Sequence, residues 1–506
     1  MRKYILNLIS KAFLCCFVVF ATTNIATATA KPERIAPSSV GIDPKQLILM
    51  YDSLMTNGLT EIHHVVVMVD GKIAGELHPK PFRSEHRHTL YSVSKTFTAV
   101  AVGLTIDDGL LSVEDKLEKF FPEYIHDSVD PRLRDIRIKD ILTMQSGFKT
   151  QTGMRNTQDH WIEYYLSRPL ANAPGTKYSY DSIETYLLSA IVQKVTGKTV
   201  LDLLNERVFQ PMGITDVEWE LCPDGIIVGG WGIYLSAYSQ ALFGQLLIQN
   251  GEWNGKQLIS EKWVKEMMTV RVVREANDYG YQTWLCEYPG AWRADGAFGQ
   301  YIIMIPQKNM VVVLNQCSRS KGWPERSNIW HTVVKNCYNC AIETTPAELA
   351  ELKDYEENAS LPVLEGDSIN DIAKKYNGKT FNLEKNKLGW SSIKFNLSKN
   401  KNSIIVTETD GSVSTIDLGY KTWAESQLAG YPHYSVGAKN RFSGITGPFY
   451  TGSCYAWQGD VLNAKIHYTN WVSSLKLAFN FNGNDLSIDV DINYPSKPFT
   501  IKATKK

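Results

Sequence analysis

The sequence predicts an α/β (α+β) fold, in which an antiparallel sheet is flanked by helices and carries an all-helical subdomain, followed by a C-terminal all-β barrel or sandwich. Three observations support this prediction. β-Branched runs flank Asp70-Gly71, a pair typical of a hairpin turn. Three strand-like segments lie in residues 279–316, after a series of helical patterns. Beyond residue 366, short alternating segments replace the helical spacing.

Helical patterns lie between the hairpin and the later strands. An apolar helix is expected over residues 92–108, ended by Gly109, and two more over residues 183–197 and 236–251, each with a glycine at its end. Because strands occur before and after these helices, we expect one antiparallel sheet built from both ends of the domain, with the helices inserted between them.

Changes in composition divide the 506-residue chain into four parts. Residues 1–30 form a targeting segment, residues 31–345 the α/β domain, residues 346–365 a charged and proline-flanked linker, and residues 366–506 the β-rich domain. The clearest element of the last part is an alternating hairpin over residues 475–492. We expect this domain to be a structural cap or a cleft wall; binding of carbohydrate or peptidoglycan is the alternative.

The first 30 residues have the layout of a secretory signal peptide. Arg2 and Lys3 precede an apolar run that ends at Phe20, and small residues up to Ala30 offer a cleavage site. Lys11 leaves the apolar run short for a membrane span, and no later stretch approaches the roughly 20 apolar residues of a membrane helix. We therefore expect export to the periplasm or the extracellular space without stable membrane insertion; a retained anchor is the alternative.

The charge balance and the cysteines argue against several classes of partner. Lys plus Arg and Asp plus Glu both number 53, so the net charge gives no reason to expect a nucleic acid partner. Cys337 and Cys340 form a C-x-x-C motif without a second ligand pair, which favours a structural disulfide or inert thiols over a zinc site. No metal or cofactor is expected. The sequence gives no prediction of the oligomeric state.

One serine and one lysine are candidates for nucleophilic chemistry. The pattern S-x-x-K occurs six times, but only the copy at Ser92 is followed directly by an apolar helix. A serine at a helix start lies near free backbone N–H groups and the positive end of the helix dipole, which stabilise a developing alkoxide. Lys95 lies one turn deeper on the same face, where burial would depress its pKa and make it a base.

Motifs of other hydrolase classes are absent from the sequence, which contains no G-x-S-x-G, H-E-x-x-H, Walker or G-x-G-x-x-G pattern. The histidine pairs His63-His64 and His86/His88 are interpreted as solvated turn residues, because no carboxylate-rich motif accompanies them. Ser92 therefore has no rival among these patterns.

Several motifs around this serine resemble those of one family. The stretch "YSVSKTFTAV" is similar to the nucleophile helix of the serine β-lactamase and penicillin-binding-protein superfamily. Its residue pattern resembles that of class C enzymes and their esterase relatives. The resemblance continues in collinear order through "DILTMQSGF", "YSYDSIETYLL", "GGWGIYLSAYSQ" and "ADGAFGQYI", over about residues 35–320. The nearest branch is the 6-aminohexanoate-dimer hydrolase and esterase group. The resemblance implies the β-lactamase/transpeptidase-like fold and a serine hydrolase that forms an acyl-enzyme.

The resemblance also implies roles for individual residues. Ser92 would be the acyl-accepting nucleophile, Lys95 its proton acceptor, and Tyr180 the phenol that relays a proton to the leaving group. Tyr178 lies two residues earlier, and the family spacing selects Tyr180 over it. The oxyanion hole would consist of the backbone N–H groups of Ser92 and Ala297.

Two departures from the family pattern bear on the substrate. Ser182 stands where the family motif usually has asparagine, and Ala294 stands where β-lactamases and DD-peptidases have the lysine that holds the substrate carboxylate. Arg293 would partly replace that lysine, or Asp295 would instead meet a substrate ammonium. The residues predicted to contact the substrate are Ser182, Trp231, Asp295 and Gly296.

Five aromatic residues near these motifs would line an apolar pocket or pack in the core: Trp161, Trp231, Tyr234, Trp284 and Trp292. The resulting interpretation is an exported serine hydrolase that cleaves an ester or amide bond in a small-molecule or peptide-like substrate. The alternatives are a D-amino-acid-specific peptidase or β-lactamase that acts on cell-wall-like substrates, and a non-catalytic penicillin-recognising binding protein.

Overall fold

The computed structural model describes residues 31–150, 153–319, 324–398, 401–432, 439, 441–493 and 496–506. The predicted signal segment, residues 1–30, lies outside these described residues. Within the described part of the chain, no helix is long and apolar enough to cross a membrane. The structure consists of a mixed N-terminal domain and a C-terminal β-barrel.

The strands of the N-terminal domain form a central antiparallel sheet and smaller sheets around it. They are β1 (Thr60–Val69), β2 (Lys72–Leu77), β3 (His88–Thr89), β4 (Glu218–Trp219), β5 (Ile233–Leu235), β6 (Glu252–Trp253), β7 (Lys256–Gln257), β8 (Trp284–Leu285), β9 (Trp292–Gly296), β10 (Gln300–Ile305) and β11 (Met310–Ser318). The central sheet has the order β2-β1-β11-β10-β9-β8, with antiparallel pairing throughout. The hairpin before the helices thus pairs with the last strand after them, which confirms the predicted sheet.

Helices cover both faces of this sheet. They are α1 (Pro44–Thr56), α2 (Ser94–Asp107), α3 (Ile138–Leu142), α4 (Met154–Thr157), α5 (Trp161–Leu166), α6 (Ser182–Thr196), α7 (Val200–Leu204), α8 (Ala237–Ile248), α9 (Glu261–Met267) and α10 (Pro324–Ile329). Alternate residues of β1 enter different cores. Val66 and Met68 join the core shared with α2 and α8, whereas Val65 and Val67 join the core shared with α1 and α10. β1 is therefore buried on both faces.

The strand β9 has no counterpart in the sequence prediction, and the segment 279–288 contributes only the two-residue strand β8. Apolar and charged residues alternate along β9. The two charged residues, Arg293 and Asp295, form an ion pair of 2.8 Å. This pairing allows a strand with two charges to lie inside the sheet.

The C-terminal domain is a β-barrel preceded by two helices. These elements are α11 (Pro346–Asn358), α12 (Asp371–Tyr376), β12 (Thr380–Leu383), β13 (Trp390–Leu397), β14 (Asn402–Glu408), β15 (Val413–Tyr420), β16 (Ala424–Leu428), β17 (Phe449–Gln458), β18 (Val461–Tyr468), β19 (Ser474–Asn482), β20 (Asp485–Ile492) and β21 (Phe499–Lys505). The strand order is β15-β14-β13-β12-β21-β20-β19-β18-β17-β16, and a parallel pairing of Gly419 with Cys454 closes the ring between β15 and β17. The structure thus selects the barrel over the sandwich.

The barrel core continues into the N-terminal domain. Trp471, in the loop between β18 and β19, has its ring centroid 5.7 Å from that of Tyr91 and 6.1 Å from that of Tyr234. Phe442, in the loop between β16 and β17, lies 5.3 Å from Trp471. All four side chains belong to one buried apolar cluster. Burial of this aromatic surface joins the two domains.

All described cysteines are free thiols. In the C-x-x-C motif, Cys337 is buried and its thiol donates to the Val40 carbonyl oxygen over 3.5 Å, while Cys340 is exposed. Of the two interpretations of this motif, the structure matches inert thiols.

The structure corrects the interpretation of four histidines as solvated turn residues. The buried histidines are His63, His64, His86 and His88. His63 Nδ1 lies 2.9 Å from His88 Nε2. The barrel covers the beginning of β1, where His467 Nδ1 from β18 lies 3.2 Å from a carboxylate oxygen of Glu61. The prediction was wrong because a local sequence motif does not reveal that a second domain covers the residues.

Burial lowers the pKa of five histidines in this region: His63, His64, His86, His88 and His467. An unfolded histidine has a pKa of about 6.5, so below that pH the unfolded chain binds more protons than the folded protein. The free energy of unfolding should therefore fall as the pH falls from 6.5 to 5.5. We expect up to about 1.4 kcal/mol per pH unit for each such histidine, measured by urea unfolding.

A pair of variants separates this effect from general acid sensitivity. His64→Gln removes one buried titrating group and should make the pH dependence of the unfolding free energy shallower. His126→Gln changes an exposed histidine and should leave that pH dependence as it is. Equal slopes in the His64→Gln variant and the wild type would contradict the prediction.

Candidate active site

Ser92 lies in a tight turn at the start of a buried helix. A 3-10 turn (Tyr91–Val93) leads directly into α2, and Tyr91 has a positive φ of 49°. The Ser94 hydroxyl donates to the Tyr91 carbonyl oxygen over 2.6 Å and stabilises this turn. Ser92 is half-buried, whereas Ser94 and Lys95 are buried. The predicted nucleophile is thus accessible and held on a rigid support.

Lys95 is buried among oxygen atoms from three segments of the chain. Its Nζ lies 3.1 Å from Ser92 Oγ, 2.9 Å from Ser182 Oγ and 2.6 Å from the Gly230 carbonyl oxygen. Burial lowers the pKa of Lys95 to about 7, because a charged ammonium is poorly solvated there. A large fraction of the amine is therefore neutral near pH 7. Such an amine is able to take a proton from a serine hydroxyl.

Tyr180 contacts both of these residues. Lys95 Nζ lies 4.8 Å from the centre of the Tyr180 ring, and the Tyr180 hydroxyl interacts with the Ser92 side chain. Burial raises the pKa of Tyr180 in spite of that interaction. The phenol is thus protonated at neutral pH and is a proton donor. Tyr178 instead lies under Arg274, whose guanidinium carbon is 4.1 Å from its ring centre.

The end of β9 lies against the nucleophile turn. A Cβ atom on Gly296 would lie 2.3 Å from the Leu90 carbonyl oxygen, so a glycine is needed for this close contact. The contact brings the exposed turn that carries Ala297 close to Ser92. The first N–H groups of a helix have no partner within the helix. The structure thus brings the turn that carries Ala297 to the start of α2, and the oxyanion hole formed by the backbone N–H groups of Ser92 and Ala297 stays a prediction.

Comparison with known proteins identifies the family. The profile of the Beta-lactamase family matches residues 57–331, more than half of the chain. The chain belongs to the beta-lactamase family. It is 22% identical over 358 residues to the 6-aminohexanoate-dimer hydrolase of Paenarthrobacter ureafaciens, covering 62% of this chain and 87% of that protein. It is 28% identical over 155 residues to the lovastatin esterase of Penicillium rubens, covering 26% of this chain and 39% of that protein.

Solved structures of this family share the fold. A Bacillus anthracis protein provisionally named a 6-aminohexanoate-dimer hydrolase aligns with a TM-score of 0.52 and 17% identity, over 62% of this chain and 88% of that one. A family VIII carboxylesterase aligns with a TM-score of 0.50 and 15% identity, over 62% of this chain and 100% of that one. These alignments confirm the predicted fold class. The names of the relatives in sequence are those of hydrolases, which supports a hydrolase here as well.

The chain departs from the beta-lactamase family pattern beside the nucleophile. The hydroxyl of Ser182, at the usual asparagine position, accepts a hydrogen bond from Lys95, while its contact with substrate stays a prediction. Ala294 is buried at the position of the family lysine. Next to it, Arg293 Nε donates to Asp295 over 2.8 Å. Arg293 and Asp295 were each predicted to meet a charged group of the substrate. Their ion pair with each other competes with both of these predicted roles.

Of the aromatic residues predicted near the site, one is accessible and four are in the core. The buried ones are Trp161, Trp231, Tyr234 and Trp292. Trp231 packs on Trp161 with ring centroids 5.6 Å apart. Trp284 is half-buried, and its ring lies 5.8 Å from that of Tyr180. Trp284 is therefore the aromatic residue best placed to meet a substrate.

Several residues that position Lys95 are not among the site residues predicted from the sequence. The Gly230 carbonyl accepts from Lys95, and a Cβ at this glycine would lie 2.3 Å from the Ser182 carbonyl oxygen. The motif G-G-W-G, which contains Gly230, is the feature of the sequence that could have indicated this position. Beyond the effect of burial, Asp181 raises the pKa of Lys95 and Arg155 lowers it. Single charges of this kind have no sequence signature.

The barrel contacts the N-terminal domain near Lys95, while its predicted role as a cap or cleft wall stays a prediction. The Lys439 backbone N–H donates to the Arg155 carbonyl oxygen over 2.8 Å. Arg441 donates to the buried Glu220 carboxylate over 2.6 Å. Both contacts come from the loop between β16 and β17. The second domain therefore contacts Arg155, whose charge acts on Lys95.

If neutral Lys95 is the base, kcat/KM should rise with pH through an apparent pKa near 7 and be lost at lower pH. Asp181→Asn keeps a side-chain cap for α6 but removes a negative charge that favours the ammonium, so the midpoint should move to lower pH. Arg155→Gln removes a repelling cation and should move the midpoint to higher pH. Ester hydrolysis measured from pH 5 to 9 tests both shifts; coincident midpoints would refute the assignment.

Proposed function

We propose that the protein is an exported serine hydrolase that cleaves an ester or amide bond through an acyl-enzyme on Ser92. The observation that carries the proposal is the Lys95 amine, buried between Ser92 Oγ and Ser182 Oγ with its pKa lowered to about 7. A lysine buried for packing alone has no need to contact a half-exposed serine at a helix start. Export rests on the signal-peptide layout of residues 1–30.

In acylation, Ser92 Oγ attacks the substrate carbonyl carbon and its proton passes to Lys95 Nζ. The backbone N–H groups of Ser92 and Ala297 stabilise the tetrahedral oxyanion. The Tyr180 hydroxyl gives its proton to the leaving alcohol or amine as the bond to that group breaks, and Lys95 returns a proton to Tyr180. In deacylation, a water attacks the acyl carbon, and its proton passes through the Tyr180 hydroxyl to neutral Lys95. The Ser92 oxygen then leaves as the acyl bond breaks and takes a proton from the Lys95 ammonium.

The substrates that fit this site best have no carboxylate next to the scissile bond. Ala294 offers no charge where the family lysine holds such a carboxylate, and Arg293 is paired with Asp295. The names of two relatives, a 6-aminohexanoate-dimer hydrolase and a lovastatin esterase, likewise point away from β-lactams. An ester or amide of another kind is therefore the proposed substrate class.

Two other candidates remain. A D-amino-acid-specific peptidase or β-lactamase would use the same residues on cell-wall-like substrates, and cephalosporin turnover that equals the best ester would favour it. A non-catalytic penicillin-recognising protein would bind such ligands without turnover. Contact among Ser92, Lys95 and Tyr180 argues against the binding protein, because a binder needs no proton relay.

The nucleophile is tested by active-site labelling. A fluorophosphonate should label the wild-type protein at Ser92, as mapped by mass spectrometry, and Ser92→Ala should abolish both labelling and ester hydrolysis. Ser391→Ala is a matched control, because Ser391 begins another S-x-x-K motif, in the barrel. Labelling that persists in Ser92→Ala would overturn the proposal.

The two neighbouring tyrosines give a second test with a built-in control. Tyr180→Phe keeps the ring and removes the proton that reaches the leaving group, so turnover of an ester should fall about 10²- to 10⁴-fold. Tyr178→Phe should be nearly silent, since its hydroxyl makes no hydrogen bond within the described structure. A collapse in Tyr178→Phe with Tyr180→Phe near the wild type would exchange the two roles.

A further inference from the structure

The Arg274 guanidinium lies near the proposed proton donor and has no ion-pair partner among the residues that the structure describes. Its guanidinium carbon lies 4.1 Å from the ring centre of Tyr178 and 5.4 Å from that of Trp284. The backbone N–H of Arg274 donates to Asp278 over 2.9 Å, whereas no residue in the described part of the chain pairs with the guanidinium. The side chain is half-buried. Its charge is thus oriented by aromatic contacts and free to bind an anion.

Neighbouring arginines differ from Arg274 in this respect. Arg293, on β9, forms an ion pair with Asp295 at 2.8 Å. Arg271, three residues before Arg274 in the same loop, forms an ion pair with Glu266. Both cations are therefore neutralised by the protein itself. Of these three arginines, Arg274 is the one whose guanidinium has no ion-pair partner among the described residues, so it is available to a ligand.

The aromatic surface under Arg274 leads to the reacting groups. Trp284 lies 5.8 Å from Tyr180 and 4.7 Å from Tyr279, measured between ring centroids. The hydroxyl groups of Tyr178 and Tyr279 are buried without a hydrogen-bond partner among the described residues. We call Tyr178, Arg274, Tyr279 and Trp284 the Arg274 subsite. Its Trp284 ring lies near both the ring of Tyr180 and the guanidinium of Arg274.

We infer that Arg274 binds a carboxylate at the far end of the leaving group of the substrate. This inference rests on the proposed function, in which Tyr180 gives a proton to that leaving group. A guanidinium binds a carboxylate through two parallel N–H···O bonds, and stacking on aromatic rings fixes the plane of the guanidinium. The Trp284 ring supplies apolar contact for the atoms in between. The substrate class is an ester or amide whose alcohol or amine part ends in a carboxylate.

The Arg274 subsite differs in position from the carboxylate site of the family. The family lysine position is occupied by Ala294 on β9, close to the turn that carries Ala297. The Trp284 ring centre lies 5.8 Å from that of Tyr180 and 5.4 Å from the Arg274 guanidinium carbon. A carboxylate attached next to the scissile bond belongs at the first position, and one carried on an extended leaving group belongs at the second. The inference is thus compatible with weak β-lactam turnover.

The test compares hydrolysis of 4-acetoxybenzoate with that of its neutral methyl ester, at the acetyl bond. Arg274→Gln should lower kcat/KM for the anionic substrate about 10- to 100-fold and change it little for the neutral one. Arg274→Lys should restore part of the loss, because a lysine keeps the charge but not the paired hydrogen bonds. Arg271→Gln is the matched control: Arg271 also stacks on a tyrosine, Tyr281, but has its own carboxylate partner.

Several outcomes would overturn the inference. One is an equal effect of Arg274→Gln on both substrates, which indicates a structural role for the stacked cation. Another is a loss confined to 4-nitrophenyl hemisuccinate, whose carboxylate is on the acyl side. If neither acetyl ester is cleaved in a Ser92-dependent way, the proposed function fails instead.

A binding measurement keeps the inference testable in that case. Titration calorimetry of 4-hydroxybenzoate with Ser92→Ala should show binding that weakens about 10- to 100-fold in Ser92→Ala/Arg274→Gln. Equal affinity in the two variants would refute a carboxylate role for Arg274 without reference to catalysis.

Discussion

An amino group that is taken out of water needs acceptors within the protein, and Lys95 finds three: Ser92 Oγ, Ser182 Oγ and the Gly230 carbonyl. They come from the turn before α2, the first residue of α6 and the loop before β5. A shift of any of these segments leaves a buried polar atom unpaired, at a cost of about 1–3 kcal/mol. The contacts that surround Lys95, the proposed base, thus also hold the three segments together.

The nucleophile turn depends on a second set of contacts. Tyr91 adopts a positive φ, which is unfavourable for a residue with a bulky side chain. On one side the Ser94 hydroxyl bonds to its carbonyl oxygen, and on the other side Trp471 and Phe298 pack against its ring. Phe298 follows Ala297 directly in sequence. Aromatic packing that includes the barrel therefore supports both the nucleophile and the turn predicted to stabilise the oxyanion.

The sequence was informative wherever the determining interaction is local. Asp70 and Gly71 both have the positive φ values of a two-residue hairpin turn, and the apolar run after Ser92 forms the expected helix. The collinear motifs also named Tyr180, which the structure brings into contact with Lys95.

The sequence failed where a partner distant along the chain decides the outcome. His63 appeared solvated because the barrel that covers it comes some 400 residues later along the chain, as the pairing of Glu61 with His467 shows. β9 was missed because its burial depends on the pairing of Arg293 with Asp295, which alternation alone does not predict. Whether Arg274 has an ion-pair partner among the described residues likewise depends on contacts between segments that are distant along the chain.

The shared aromatic cluster of Tyr91, Tyr234, Phe442 and Trp471 has a consequence for how this protein can be recombined. By composition the chain looks like two modules joined by a charged segment. By its packing it is one unit, because a catalytic module cut out at that segment would expose the apolar flank of its own nucleophile turn to water. A gene fusion or shuffled library that exchanges the barrel must therefore rebuild this interface.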